Sequence, residues 1–119
     1  MNEKNLSKRL LDFAIQIIIF LRKLPNNEEY RIIKHQLVKS STSSGANYEE
    51  AQGASSRADF ISKVRISLKE MRESNYWLKV VNGINENKSH EEMGNKLIQE
   101  SQELKNILGA ICVKAEKKK

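Results

Sequence analysis

Apolar residues return along this chain at alternating steps of three and four, and the phase holds even where the seam turns polar. Phe60, Val64, Ser67, Met71, Ser74, Leu78 and Val81 make one such series, which lays a single seam along a long helix of the kind that packs in a bundle. Upstream, Tyr30, Ile33, Leu37, Ser41, Ser44, Tyr48 and Ala51 repeat the period, so 36–81 reads as a helical hairpin. The centre of that second seam is built from small polar residues instead of Leu or Ile. Residues 40–45 read locally as a flexible linker, because Ser, Thr and Gly compete with the helix for backbone hydrogen bonds. A linker has no reason to keep the apolar phase across itself. A continuous helix against a close neighbour is therefore expected, with Gly45 costing about 1 kcal/mol relative to Ala.

The other elements follow from the same pattern and its punctuation. A first helix is expected over about 5–24, capped at Asn5 and stopped by Pro25. Helix two, about 28–52, begins after the turn "PNNEE" and ends at Gly53 in a left-handed conformation. Helix three, about 56–81, opens on a capping-box variant of Ser56 with Asp59, and "NGINEN" ends it near Gly83. Helix four, about 90–114, opens on a second box, Ser89 with Glu92, and turns Met93, Leu97, Leu104, Leu108 and Ile111 to the core. Residues 115–119 are left as a fraying basic tail. The fold class is all-α, an antiparallel up-and-down four-helix bundle with 1–119 as a single domain.

Helix one carries more apolar surface than such a position needs. Leu10, Ala14, Ile17, Leu21 and Leu24 form one stripe, and Leu11, Ile15 and Ile18 form a second beside it. An outer helix of a monomer requires one stripe. The second is expected to be buried against another copy, which makes Leu11, Ile15 and Ile18 candidates for an oligomer interface.

Composition narrows the class. One Pro and five Gly in 119 residues are too few turn residues for a sandwich or barrel. The lone Cys112 cannot close an intrachain disulfide and reads as a buried thiol. The longest apolar run, 13–21, contains Gln16 and falls short of the roughly 20 residues that span a bilayer. A cytoplasmic protein with no membrane partner is expected. His35 and His90 lie on different helices at no ligand spacing from each other or from Cys112, and no Glu-x-x-His motif of a di-iron bundle occurs. Ser41, Ser43 and Ser44 have no base to activate them, and "SSGAN" lacks the spacing of a phosphate loop. No enzyme, metal or cofactor is expected.

Charge adds a possible partner. The net charge is +6 and the pI about 9.5, which suits a polyanion, RNA or DNA. In an up-and-down bundle one end collects the start of helix one, the second turn, the start of helix three and the end of helix four. There stand Lys4, Lys8, Arg9, Arg57, Lys63, Arg65, Lys114, Lys117, Lys118 and Lys119, opposed by Glu3, Asp12, Glu49, Glu50, Asp59 and Glu116. The other end is nearly balanced. The ten cations are the candidate nucleic-acid contacts.

The blocks "STSSGANYEEAQ" and "ADFISKVRISLKEMRESNYWLKVV", at their mutual spacing, resemble the bacterial four-helix proteins encoded in intervening sequences of 23S ribosomal RNA genes. The resemblance extends over about 6–108. Many of those proteins have an Ile-Pro pair and a Glu-Gly near the middle of helix two. Ser44-Gly45 and Glu50-Ala51 stand there in this chain, as in a branch carrying "GANY". The resemblance implies an antiparallel four-helix protomer, commonly assembled as a homopentameric ring. A related branch, the accessory variability proteins of diversity-generating retroelements, implies a basic pentamer that binds nucleic acid and a reverse transcriptase. Asn47, Tyr48, Glu50, Glu70, Tyr76 and Trp77 match the family motif, and the resemblance gives them no catalytic role. Three functions stay open: a non-enzymatic oligomer that binds RNA or a ribonucleoprotein through its basic end, an adaptor for a protein partner encoded nearby, and, as the resemblance implies, a retroelement accessory protein that binds a reverse transcriptase and nucleic acid.

Overall fold

The computed structural model describes residues 3–117, with side chains from residue 5 onward. Four helices and no strand occupy them: α1 (Glu3–Arg22), α2 (Glu28–Gln52), α3 (Arg57–Ile84) and α4 (Lys88–Lys117). Each packs on the next in sequence and α1 closes against α4, so the four surround one core. The elongated shape, 48 × 24 × 19 Å, follows from helices of 20 to 30 residues rising about 1.5 Å per residue.

The helix ends are set by side chains that satisfy the orphan donors of each first turn. Asn27 Oδ1 accepts from the Tyr30 N–H at 2.9 Å and starts α2. Ser56 Oγ accepts from the Asp59 N–H at 3.0 Å, and Asp59 Oδ2 returns the favour to the Ser55 N–H at 3.2 Å. Several ends differ from the sequence reading. Asn5 lies inside α1, and α1 stops at Arg22, with Leu24 buried in the turn beyond. That turn is held by Lys34 Nζ, which donates to Leu24 O at 3.0 Å and to Asn26 Oδ1 at 2.9 Å. Gly53 closes α2 at φ −104°, its N–H donating to Glu50 O at 3.1 Å, so no left-handed residue is used there.

α3 runs through Gly83, because Val81 is buried behind that turn and Asn82 Nδ2 reaches Asn95 Oδ1 on α4 at 2.6 Å. α4 starts earlier than read, because the cap is Asn87: its Oδ1 accepts both the Ser89 N–H at 3.0 Å and the Ser89 hydroxyl at 2.7 Å. Ser89 is thereby spent as a donor, not as a capping-box acceptor. At the other end α4 continues to Lys117 instead of fraying from residue 115. Glu116 accepts from Arg65 Nε at 2.9 Å and from Arg65 Nη2, which ties that last turn to α3.

The core is unlike a Leu-rich bundle along α2 and α3. Ser40, Ser41, Ser44, Ser67 and Ser74 are fully buried. Ser44 Oγ donates to Ser67 O at 2.8 Å while Ser67 Oγ donates to Ser44 O at 2.7 Å, and the Ser40 and Ser74 hydroxyls meet at 2.7 Å. Small side chains let the two backbones approach, and each hydroxyl finds a partner, as burial demands. On the α4 side of α3 the buried Asn75 donates through Nδ2 to Ser101 Oγ at 2.9 Å. Ile61, not Phe60, is the buried residue at the start of the α3 seam, with Phe60 packed half-buried on its edge.

Candidate functional site

Four of the cations read as one basic end, Lys8, Arg9, Lys63 and Arg65, are engaged with carboxylates. Lys8 Nζ meets Asp12 Oδ2 at 2.9 Å within α1. Arg9 reaches across to α4, where Nε donates to Glu100 Oε2 at 3.0 Å and Nη2 to Glu100 Oε1 at 2.5 Å and Glu103 Oε1 at 3.2 Å. The hydrogen bonds that Arg9 donates to Glu100 raise its pKa above the ordinary guanidinium value, against the opposing effect of burial. Lys63 stands 3.6 Å from Glu50 and 3.9 Å from Asp59, and Arg65 is held by Glu116. Arg57 is exposed at the first position of α3, and Lys114 and Lys117 are exposed in the last turn of α4. Lys118 and Lys119 lie outside the described residues, as does the side chain of Lys4.

Arg9 stands apart from the last turn of α4. Arg9 is anchored opposite Glu103, about four turns of α4 before Lys117. The acids named as opposing charges, Asp12, Glu50, Asp59 and Glu116, are the ones that take up the cations, together with Glu100 and Glu103, which the end-by-end count left out.

The second stripe of α1 is where the structure leaves apolar surface open. Leu11 is 60% and Ile15 44% exposed, Ile19 joins them at 36%, and Ile18 is half-buried. A groove of about 320 Å³ between α1 and α2 is floored by Leu10, Ala14, Gly45 and Ala46 beside Leu11. Gly45 makes it: its Cα approaches α1 so closely that an added Cβ would touch Leu10 Cβ at 3.5 Å. A second depression of about 360 Å³ continues the same seam past Ile18 to Val38. Val38 is itself 38% exposed.

The family motif residues do not converge. Tyr48 is core, Asn47 Nδ2 donates to Ser43 O at 2.9 Å within its own helix, and Glu50 pairs with Lys63. Glu70 is half-buried on α3. Tyr76 is exposed and its ring stands edge-on to the half-buried Trp77, whose Nε1 donates to Glu73 Oε2 at 3.2 Å. A depression of about 640 Å³ at the opposite end of the bundle is lined by Lys23, Tyr30, Glu86, Lys88 and His90. Among the described residues no cluster of His, Cys, Asp or Glu could hold a metal ion, and no helix is long and apolar enough to cross a membrane.

An exposed row on α3, Lys69, Arg72, Tyr76 and Lys79, was missed by sorting charges to the ends of the bundle. Its three- and four-residue steps were available in the sequence, on the face opposite the apolar seam.

The sequence matches the family described as 23S rRNA-intervening sequence protein over residues 3–110. A solved structure, that of a protein with unknown function from the S23 ribosomal protein family from Bacteroides thetaiotaomicron VPI-5482, is 34% identical and superposes with a TM-score of 0.77. The match covers 90% of this chain and 97% of that one. No curated protein matches the sequence.

Proposed function

Since the chain belongs to the 23S rRNA-intervening sequence protein family, we propose that it works without catalysis, as a cytoplasmic, self-associating four-helix scaffold that binds RNA or a ribonucleoprotein. The observation that carries the reading is the open apolar row of Leu11, Ile15 and Ile19 beside the groove made by Gly45. Apolar surface arranged as a ridge next to a matching hollow suits a second copy of the same chain, each supplying what the other lacks. Association multiplies a net charge of +6, and a ring of five would carry about +30. The family is named for 23S rRNA and the solved relative for a ribosomal protein family, which favours RNA over DNA as the polyanion.

Light scattering coupled to gel filtration tests assembly, and a stable monomer at micromolar concentration would remove it. Anisotropy titration with labelled RNA at low salt tests binding. Affinity should fall steeply with salt and depend little on sequence, and no affinity at low salt would end the RNA reading.

A further inference from the structure

One row of exposed cations runs along a single helix, α3. Arg65, Lys69, Arg72, Tyr76 and Lys79 follow at steps of four, three, four and three, which keeps them in one row over about 20 Å of α3. All five are exposed. Arg65 is held at one end of the row by Glu116, whereas Lys69, Arg72 and Lys79 form no ion pair with any described residue. Of the acids in this stretch of α3, Glu70 sits on another flank, whereas Glu73 stands beside the row, four residues after Lys69 and three before Tyr76. Glu70 lies seven residues from both Lys63 and Trp77, and Lys63 bonds Glu50, so that flank faces α2. Glu73 is occupied by the Trp77 indole at 3.2 Å.

Tyr76 breaks the row of cations with an aromatic ring that is 60% exposed. The ring is braced: its centroid lies 5.3 Å from that of Trp77 at an interplanar angle of 76°, and Trp77 is itself tethered by Glu73. The ring stands between Arg72 and Lys79 in the row, with more than half of the residue open to solvent.

A line of unpaired cations that carries one braced, exposed ring meets both needs of an unpaired polynucleotide, charge to follow the phosphates and a π-face to stack a base. A duplex offers no unstacked base to the ring. We propose that this face of α3 is a track for single-stranded RNA, with Lys69, Arg72 and Lys79 on phosphates and Tyr76 stacking one base. The proposal rests on the RNA-binding reading above and places the contact on α3 instead of the basic end.

The test uses the full chain, a labelled mixed-sequence single-stranded RNA of about 12 nucleotides, the same RNA annealed to its complement, and a salt series. Replacing Lys69, Arg72 and Lys79 together by Gln should lower the slope of log affinity against log salt by about 2, at about 0.7 per phosphate contact. Tyr76→Ala should weaken binding about 5- to 150-fold with the slope unchanged. A control of equal charge, Lys8→Gln with Lys63→Gln and Lys114→Gln, should alter the slope far less. All the α3 side chains concerned are exposed, so circular dichroism should match the wild type. A triple α3 variant with the wild-type slope, a Tyr76→Ala variant with wild-type affinity, or tighter binding of the duplex would each overturn the track. If the wild type binds neither RNA, the RNA-binding reading falls with it. If the wild type binds and the α3 variants bind equally well, only the track falls.

Discussion

Single residues in this bundle differ most where two of the same kind meet different surroundings. Gly94 and Gly109 both lie inside α4. A Cβ at Gly109 meets nothing within 4 Å, so Gly109→Ala should stabilise by about 1 kcal/mol through helix propensity alone. A Cβ at Gly94 would overlap Asn82 Oδ1 and sit 3.4 Å from Phe20 Cζ. Asn82 would have to swing away and lose its 2.6 Å bond to Asn95, which offsets the gain in helix propensity, so Gly94→Ala should stabilise less than Gly109→Ala or not at all. Urea denaturation of the two variants measures the contrast, and equal shifts would refute it.

Titration offers a second check at this scale. Burial pushes the Cys112 thiol up, Glu116 adds to the rise, and Arg65 and Arg72 oppose it; burial likewise raises Tyr30, helped by Glu29 and Glu86. In the unfolded chain these groups ionise at their ordinary values, about 8.5 and about 10. Their contribution to stability is therefore complete below about pH 8.5 and is lost as pH rises toward the higher folded values. The urea midpoint should decline above about pH 9, and Cys112→Ala should flatten the first part of that decline.

At the scale of elements, the α2 seam shows what the sequence made legible. Its polar centre kept the apolar phase on both sides, and all of Tyr30, Ile33, Leu37, Ser41, Ser44, Tyr48 and Ala51 are buried. Periodicity reports burial whatever the chemistry of the residue, which is why the serines could be placed. Their bonding could not be read, because it depends on which α3 residue stands opposite. Asn75 escaped for a related reason: Asn ordinarily marks surface, and only Ser101 on α4 gives it a buried partner. The start of α4 was misplaced because Asn87 and Ser89 compete for the cap within two residues, a contest that local pattern does not decide. Ser44→Leu should destabilise by about 1 to 3 kcal/mol, since the added volume has only the α3 backbone at Ser67 to displace. Amide exchange through 40–45 should be as slow as in the flanking turns. Fast exchange confined to that segment would mean that the hydroxyl bonds do not hold the helices together.

Considered as a whole, the molecule buries one stripe of α1 and leaves the other. Leu10, Phe13, Ile17 and Phe20 complete the core, whereas Leu11, Ile15 and Ile19 stand outside it. Ile18, grouped with the open residues on sequence, is half-buried at the seam with α2 and lines the depression beside Val38. A charge at Ile18 would therefore disturb the protomer as well as any contact between protomers, and it is a poor probe. Leu11→Glu with Ile15→Glu is the cleaner pair, because both side chains are exposed and no core contact is removed. If the face binds a second copy, this variant should run as a monomer by light scattering while keeping its helical circular dichroism. Ala46→Leu should act on the same equilibrium from the other side, because Ala46 is exposed and lines the groove that a neighbour's ridge would enter. Because affinity for RNA grows with the number of linked sites, both variants should also bind RNA more weakly even though no cation has been touched. An assembled Leu11→Glu, Ile15→Glu variant would show that the copies meet elsewhere. A monomeric variant with undiminished RNA affinity would show that assembly and binding are independent properties of the bundle.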